Sequence, residues 1–144
     1  MRRSLAVALL LAGVIVAGCS KATGTEAAAA PVPSAPAVPA AVTAVAIATG
    51  DSIFHSGGCQ RCHGQKGTGA QNGPSLIEGA WLHSPGTFND LVATITNGVP
   101  RASLKDQTRR FPMNPRGGPM NLTDDQVKSV AAYVYSISRS KTQP

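Results

Sequence analysis

Apolar and polar positions recur at helical spacing in three parts of the chain. The pattern predicts a short helix over 51–57, a middle helix over 87–97, and a last helix that begins after Thr123. No stretch shows the strict alternation of a half-buried strand, and no internal repeat is evident. The sequence therefore predicts an all-α fold.

The last helix has the clearest signals. Thr123 and Gln126 match a capping box, and Asp124 and Asp125 lie in the first turn, where negative charge is favourable. Its apolar face is predicted to be core and consists of Val127, Val130, Ala131, Val134 and Ile137. Tyr133 and Ala131 are expected to meet the first helix.

The other two helices have weaker signals. Thr87 can cap the middle helix and Gly98 can end it. The apolar face of that helix comprises Phe88, Leu91, Val92 and Ile95. The first helix is expected to carry Ile53 and Phe54 into the core.

The first 18 residues are typical of an export signal. Two arginines precede the apolar stretch 5–16, which is too short to span a bilayer comfortably. The sequence at 16–19 resembles the bacterial lipobox, which predicts lipid modification at Cys19. Two or more acyl chains give stable anchoring. Ser20, in place of Asp, slightly favours an outer membrane.

Residues 19–48 are predicted to form a linker. They are rich in Ala, Val, Thr and Pro, and their prolines prevent a continuous helix. The folding unit is then 49–140, a size at which one hydrophobic core is marginal. The whole chain of 144 residues has only one Trp, two Tyr and three Phe. We therefore expect a cofactor to complete the core.

The run Cys59-Gln60-Arg61-Cys62-His63 is the strongest chemical signal. Residues three and four apart share one face of a helical turn, so both thiols and the imidazole would point to the same side. This run is a signal for c-type haem attachment, with two thioethers to the haem and the histidine on the iron. A thioredoxin-like dithiol, a zinc site and a local disulfide are weaker alternatives. The first needs a βαβ context and the second needs four ligands.

From this motif onwards the chain resembles the class I c-type cytochromes. Gly64 completes the CxxCHG run, and Gly73-Pro74-Ser75-Leu76 matches the GPxL element of that family. The resemblance implies a bundle of three to four helices around one covalent haem c. It also implies that the Pro74 carbonyl orients His63 and that Leu76 packs on the haem. Trp81 resembles the buried tryptophan near the haem propionates. Gly64, Gly67 and Gly69 are expected to pass close to the haem.

The sixth iron ligand is open between several side chains. The stretch 111–118 resembles the methionine loop of the family and favours Met113, although Asn114 replaces the usual proline. Met120 is so close to the last helix that it is expected to pack instead. His55 and His83 remain further candidates. A methionine ligand favours reduced iron, and a filled sixth position favours electron transfer over oxygen chemistry.

Charge suggests the kind of partner. Residues 49–144 contain ten Lys or Arg against six Asp or Glu. Four of the cations precede Met113, namely Arg101, Lys105, Arg109 and Arg110, and near the haem edge they would steer the domain to an acidic redox protein. Arg101 and Arg116 are candidate propionate partners. An exported chain without interleaved aromatics does not favour nucleic-acid binding.

Three functional classes remain open. The favoured one is a membrane-tethered electron carrier in the periplasm, which is not itself an enzyme. The second is the haem-bearing subunit of an oxidoreductase, such as an alcohol or sugar dehydrogenase. A haem sensor or peroxidase is the third and would require an open iron position.

Overall fold

The computed structural model describes residues 37–77 and 81–140. The lipid-anchor prediction at Cys19, the export signal at 1–18 and the first part of the linker lie outside these residues. Four α-helices make up the described part: α1 is Ala44–Ser56, α2 is Cys59–His63, α3 is Phe88–Asn97 and α4 is Asp124–Arg139. The all-α prediction is confirmed, and none of these helices is both long and apolar enough to cross a membrane.

Helix α1 begins earlier than the sequence predicted. The expected helix began at Asp51 and the linker was expected to extend to residue 48, but α1 begins at Ala44. The Thr43 hydroxyl accepts a hydrogen bond from the Ala46 N–H at 3.1 Å and so caps the helix. The predicted boundary was wrong because Thr43, the cap, lies in an Ala/Val-rich segment that follows Pro39 and has the composition of a linker.

Helices α3 and α4 agree with the sequence. Thr87 caps α3 through the Asp90 N–H, and α3 ends at Gly98. In α4 the Thr123 hydroxyl accepts from the Gln126 N–H while the Gln126 side chain accepts from the Thr123 N–H, which is the predicted capping box.

The core lies where α1 and α3 pack against α4. Phe54 of α1 is 1% exposed, and its ring centroid lies 5.2 Å from that of Tyr133 on α4. At the same crossing the backbone of α1 comes very close to α4. A Cβ on Gly50 would lie only 1.9 Å from the Ser129 carbonyl oxygen. The sequence pattern does not predict this role of Gly50, because nothing local to the helix requires a glycine there.

Irregular segments connect the helices and surround the space between them. Short 3₁₀ turns occur at Gln65–Gly67, Arg101–Ser103 and Pro115–Met120. Within the described residues, extended pairing is limited to two isolated antiparallel bridges, Ala70 with Gly73 and Val99 with Met113. The second bridge holds the methionine segment, residues 111–118, against the end of α3.

Candidate haem site

Helix α2 presents the attachment motif as expected. Cys59, Cys62 and His63 fall within one short helix and all three line one cavity, which has a volume of about 490 Å³. Both cysteines are free thiols. Burial raises the pKa of the Cys59 thiol, so it remains a neutral thiol at neutral pH.

Pro74 fixes the orientation of the His63 ring. The His63 Nδ1–H donates to the Pro74 carbonyl oxygen at 3.1 Å, so Nε2 is the nitrogen left free to bind a metal. Burial lowers the pKa of His63 and the positive charge of Arg109 lowers it further, while the hydrogen bond to Pro74 opposes them. The ring is therefore held in the neutral form that binds metal ions.

Gly73 lets the turn before Pro74 approach α2 closely. A Cβ at this position would lie 2.5 Å from the Cys62 carbonyl oxygen and 3.0 Å from His63 Nδ1. The other glycines of this loop have a different role from the one expected. Gly64, Gly67 and Gly69 are not among the cavity-lining residues. They take positive φ angles and pack against neighbouring residues of the protein, so they shape the loop that carries Pro74.

Leu76 and Trp81 also line the cavity. Both are partly buried and pack against the hydrophobic core. Gly86 lies against the indole of Trp81, since a Cβ on Gly86 would lie 2.0 Å from Trp81 Nε1. The Gly86 carbonyl in turn accepts a hydrogen bond from Arg139 Nη2 at 3.1 Å. The indole is thus held at the cavity wall by contacts with the loop that precedes α3.

The two candidate methionines occupy different places. Met113 is partly buried and lines the cavity. Its backbone forms two hydrogen bonds with Val99, at 2.8 and 3.1 Å. Gly98, with φ of 67°, leaves the space that this pairing needs, because a Cβ there would lie 2.3 Å from the Met113 carbonyl oxygen. Met120 does not line the cavity. Its Sδ instead accepts a hydrogen bond from the Gly58 N–H at 3.2 Å.

The remaining histidine candidates differ in position. His55 lies on α1 and its Nδ1 contacts the Asp51 carbonyl oxygen at 2.9 Å, so it is held by its own helix. His83 is exposed and lies at the edge of the cavity.

Two arginines that were candidate propionate partners lie elsewhere. Arg101 is exposed and donates to Gln107 at 3.2 Å, and Arg116 donates to the Leu122 carbonyl at 2.8 Å and to Asp124 at 2.7 Å. Neither lines the cavity, whereas Arg61 and Arg109 do. Local spacing could not separate these arginines, because contacts distant in sequence decide which of them reaches the cavity.

The residues fit a haem c group. The cavity volume falls within the range of about 300–1,000 Å³ that is usual for cofactor pockets, and its walls combine apolar side chains with two thiols and an imidazole. Asn72 Oδ1 is buried beside it and lacks a hydrogen-bond partner among the described residues. An unpaired buried polar atom is costly, so a bound group with a polar periphery suits this wall. The described residues contain no cluster of three or more His, Cys, Asp and Glu side chains that a metal ion alone would need.

Comparison with known proteins identifies the family of this chain. The family model described as Cytochrome c matches residues 47–138. The chain is 35% identical over 99 residues to the cbb3-type cytochrome c oxidase subunit FixP of Sinorhizobium medicae, an alignment that covers 69% of this chain and 32% of FixP. It is 31% identical over 90 residues to subunit CcoP of Cereibacter sphaeroides, covering 62% of this chain and 30% of CcoP. The chain thus spans about a third of the length of these curated relatives.

A solved structure supports the fold. Cytochrome cL from the marine methylotroph Methylophaga aminisulfidivorans superimposes with a TM-score of 0.50 at 28% identity, covering 65% of this chain and 56% of that one. The region that the family model matches, residues 47–138, contains α2, the turn at Pro74 and the methionine segment. The chain therefore belongs to the cytochrome c family and is a class I c-type cytochrome, which binds haem c covalently and transfers electrons.

Proposed function

We propose that Cys59 and Cys62 hold the haem through thioethers and that His63 and Met113 are the two iron ligands. The observation that carries the proposal is that all four side chains line one cavity. Pro74 orients His63, while Leu76 and Trp81 contribute apolar walls. When bound, the haem iron supplies a site that gains and loses one electron.

These two ligands would restrict the iron to electron transfer. A methionine thioether would favour the reduced iron, and with His63 and Met113 both bound to it no position would remain for oxygen or peroxide. The Val99–Met113 backbone pair holds the methionine segment in place. We therefore assign the chain to electron carriers and not to haem sensors or peroxidases.

A cationic face beside the cavity favours an acidic redox partner. Lys105 and Arg110 are exposed on the loop between Val99 and Met113. Phe111, which lines the cavity, is 56% exposed, and the Arg110 guanidinium lies 5.9 Å from its ring centroid. An exposed aromatic ring beside a cation provides both apolar contact and electrostatic steering.

This face can be tested with small one-electron oxidants of opposite charge. The double variant K105Q/R110Q should react more slowly than wild type with the ferricyanide anion. Its reaction with a cationic cobalt complex should not be slower than that of wild type. Salt should slow the ferricyanide reaction of the wild type more than that of the variant. Lys128→Gln is the matched control, because this exposed lysine lies on α4, away from the cavity lining. An equal effect of K128Q would contradict the docking face.

We propose further that the carrier is exported to the periplasm and held to a bacterial membrane, the outer membrane being slightly favoured, by lipid on Cys19. The linker would then run from Cys19 to the start of α1 at Ala44. A flexible chain of this length averages roughly 30 Å between its ends, enough to let the domain reach a partner on the same membrane. Cys19→Ser should release the protein from washed membranes into the supernatant. Membrane pelleting of C19S in high salt would contradict lipidation.

The alternative is a permanently docked haem-bearing subunit of an oxidoreductase. The names of FixP and CcoP, both subunits of cbb3-type oxidases, favour this alternative. A dehydrogenase of alcohols or sugars is the other class of complex. Detergent extraction followed by size-exclusion chromatography separates the two functions. A free carrier should elute alone, whereas a subunit should retain a partner in constant stoichiometry.

A further inference from the structure

Arg109 and Arg110 are neighbours in sequence but lie in different environments. The Arg110 side chain is exposed and stacks near Phe111. The Arg109 side chain is only 19% exposed and lines the cavity. The cations of this loop therefore do not form one uniform surface, and Arg109 is largely withdrawn from any docking face.

The partly buried guanidinium of Arg109 makes two contacts. Its Nη1–H donates to the Ala70 carbonyl oxygen at 3.1 Å, a contact between residues 39 positions apart. Its Nε lies 3.0 Å from Asp106 Oδ2, an ion-pair distance without the alignment of a hydrogen bond. Asp106 is itself fixed, since its Oδ1 accepts from the Thr108 N–H at 3.1 Å.

These contacts join the two sides of the cavity. Ala70 exchanges backbone hydrogen bonds with Gly73 at 3.0 and 3.3 Å, and the following residue is Pro74, which orients His63. At its other end the loop that carries Arg109 returns to the Val99–Met113 pair. Of the described side chains of this loop, Arg109 is the one that hydrogen-bonds to the turn before Pro74.

We propose that Arg109 is a positioning residue that ties the 99–113 loop, which ends at Met113, to the 70–74 turn. Its partly buried positive charge also raises the reduction potential of the haem. A cation held in a low-dielectric wall disfavours the additional positive charge of ferric iron, whereas an exposed cation is screened. The inference rests on the proposed haem binding, because both effects act on the haem and its ligands.

The adjacent arginines provide a matched test. Arg109→Gln and Arg110→Gln remove the same charge one residue apart. R109Q should lower the midpoint potential in a redox titration. When the pH is raised, it should also lose the near-infrared absorption of sulfur-ligated ferric haem at a lower pH than wild type does. R110Q should change neither. Equal behaviour of the two variants, or no change in R109Q, would overturn the inference.

Two further variants separate the effect of the Arg109 charge from the effect of its contacts with Ala70 and Asp106. Arg109→Lys keeps the charge but cannot reach Ala70 and Asp106 with the same planar fork. R109K should therefore have the midpoint potential of wild type but should still lose the near-infrared band at a lower pH than wild type when the pH is raised. Asp106→Asn leaves the Arg109 charge uncompensated and should raise the potential, the opposite of R109Q. A fall in the potential of D106N would overturn the electrostatic part.

Intact mass of each purified variant keeps this test distinct from the proposed function. Retention of covalent haem in all four variants shows that attachment is intact. Equal midpoint potentials of R109Q and R110Q would then contradict the role of Arg109 and not the haem attachment. If wild type carries no haem, the proposed site fails and the inference fails with it. If R109Q loses its haem, D106N serves as the test instead, because Asp106 lies at the surface of the loop.

Discussion

The Sδ atom of Met120 accepts a hydrogen bond from the backbone N–H of Gly58 at 3.2 Å. This contact occupies the sulfur at the junction of α1 and α2. It leaves Met113 as the methionine that lines the cavity. A Cβ on the neighbouring Gly57 would lie 2.3 Å from the same sulfur, so the junction is closely packed around Met120.

The two methionines are therefore expected to respond differently to substitution. Met113→Ala should abolish the near-infrared charge-transfer absorption of the ferric protein and lower the midpoint potential, because the thioether ligand is lost. Met120→Ala should keep the absorption and lower the free energy of unfolding by about 2 kcal/mol, the low end of the range for truncating buried methionines, because Met120 is only partly buried. Absorption spectra and denaturant titrations of both variants measure these effects. Loss of the band in M120A alone would reverse the ligand assignment.

Gly50 provides a test of the α1–α4 crossing. An exposed Gly→Ala change within a helix stabilises by about 1 kcal/mol, but a Cβ at Gly50 would collide with the Ser129 carbonyl. Gly50→Ala should therefore destabilise the folded protein by about 1–3 kcal/mol, as overpacking does. Ala48, exposed on the same helix, is the control, and Ala48→Gly should cost about 1 kcal/mol from helix propensity alone. A more stable G50A would show that the helices are further apart.

Acid should weaken the end of the methionine segment. The hydrogen bond and positive charge of Arg116 hold the pKa of Asp124 below its usual value. Asp124 therefore contributes stability above its unfolded pKa of 3.8, and this contribution is lost as pH falls through the lower folded pKa. Thermal unfolding of Asp124→Asn should show a smaller loss of stability below about pH 4 than wild type.

The control for this acid effect lies next in sequence. Asp125→Asn removes the same charge from a side chain that is 95% exposed and does not contact Arg116. It should leave the acid dependence close to that of wild type. If D125N and D124N reduce the acid-induced loss of stability equally, the loss of one negative charge is responsible and not the loss of the contact with Arg116.

Much of the fold follows from local signals in the sequence. Caps at Thr87 and Thr123, the glycine after α3 and the apolar faces of α3 and α4 are local, so two helices were predicted closely. The same holds for the attachment motif, because its spacing on one turn determines which side chains share a face. The start of α1 was missed because the Thr43 cap stands in a segment with the composition of a linker.

The rest depends on contacts between distant parts of the chain. Gly50 is needed only because α4 crosses there, and Gly98 only because the Met113 segment packs on it. Arg109 differs from Arg110 through a bond to Ala70, which no pattern within the loop indicates. Such residues are identified once the elements are assembled in space.

Covalent attachment of haem at α2 is the central claim and has a direct measurement. The intact mass of the acid-denatured protein, expressed in cells that mature c-type cytochromes, should exceed that of its processed, lipid-modified polypeptide by one haem. The variant Cys59→Ala/Cys62→Ala should lack the haem mass and should show no colour in a haem-stained denaturing gel. A wild-type protein without the added mass, or a double variant that keeps it, would contradict the account.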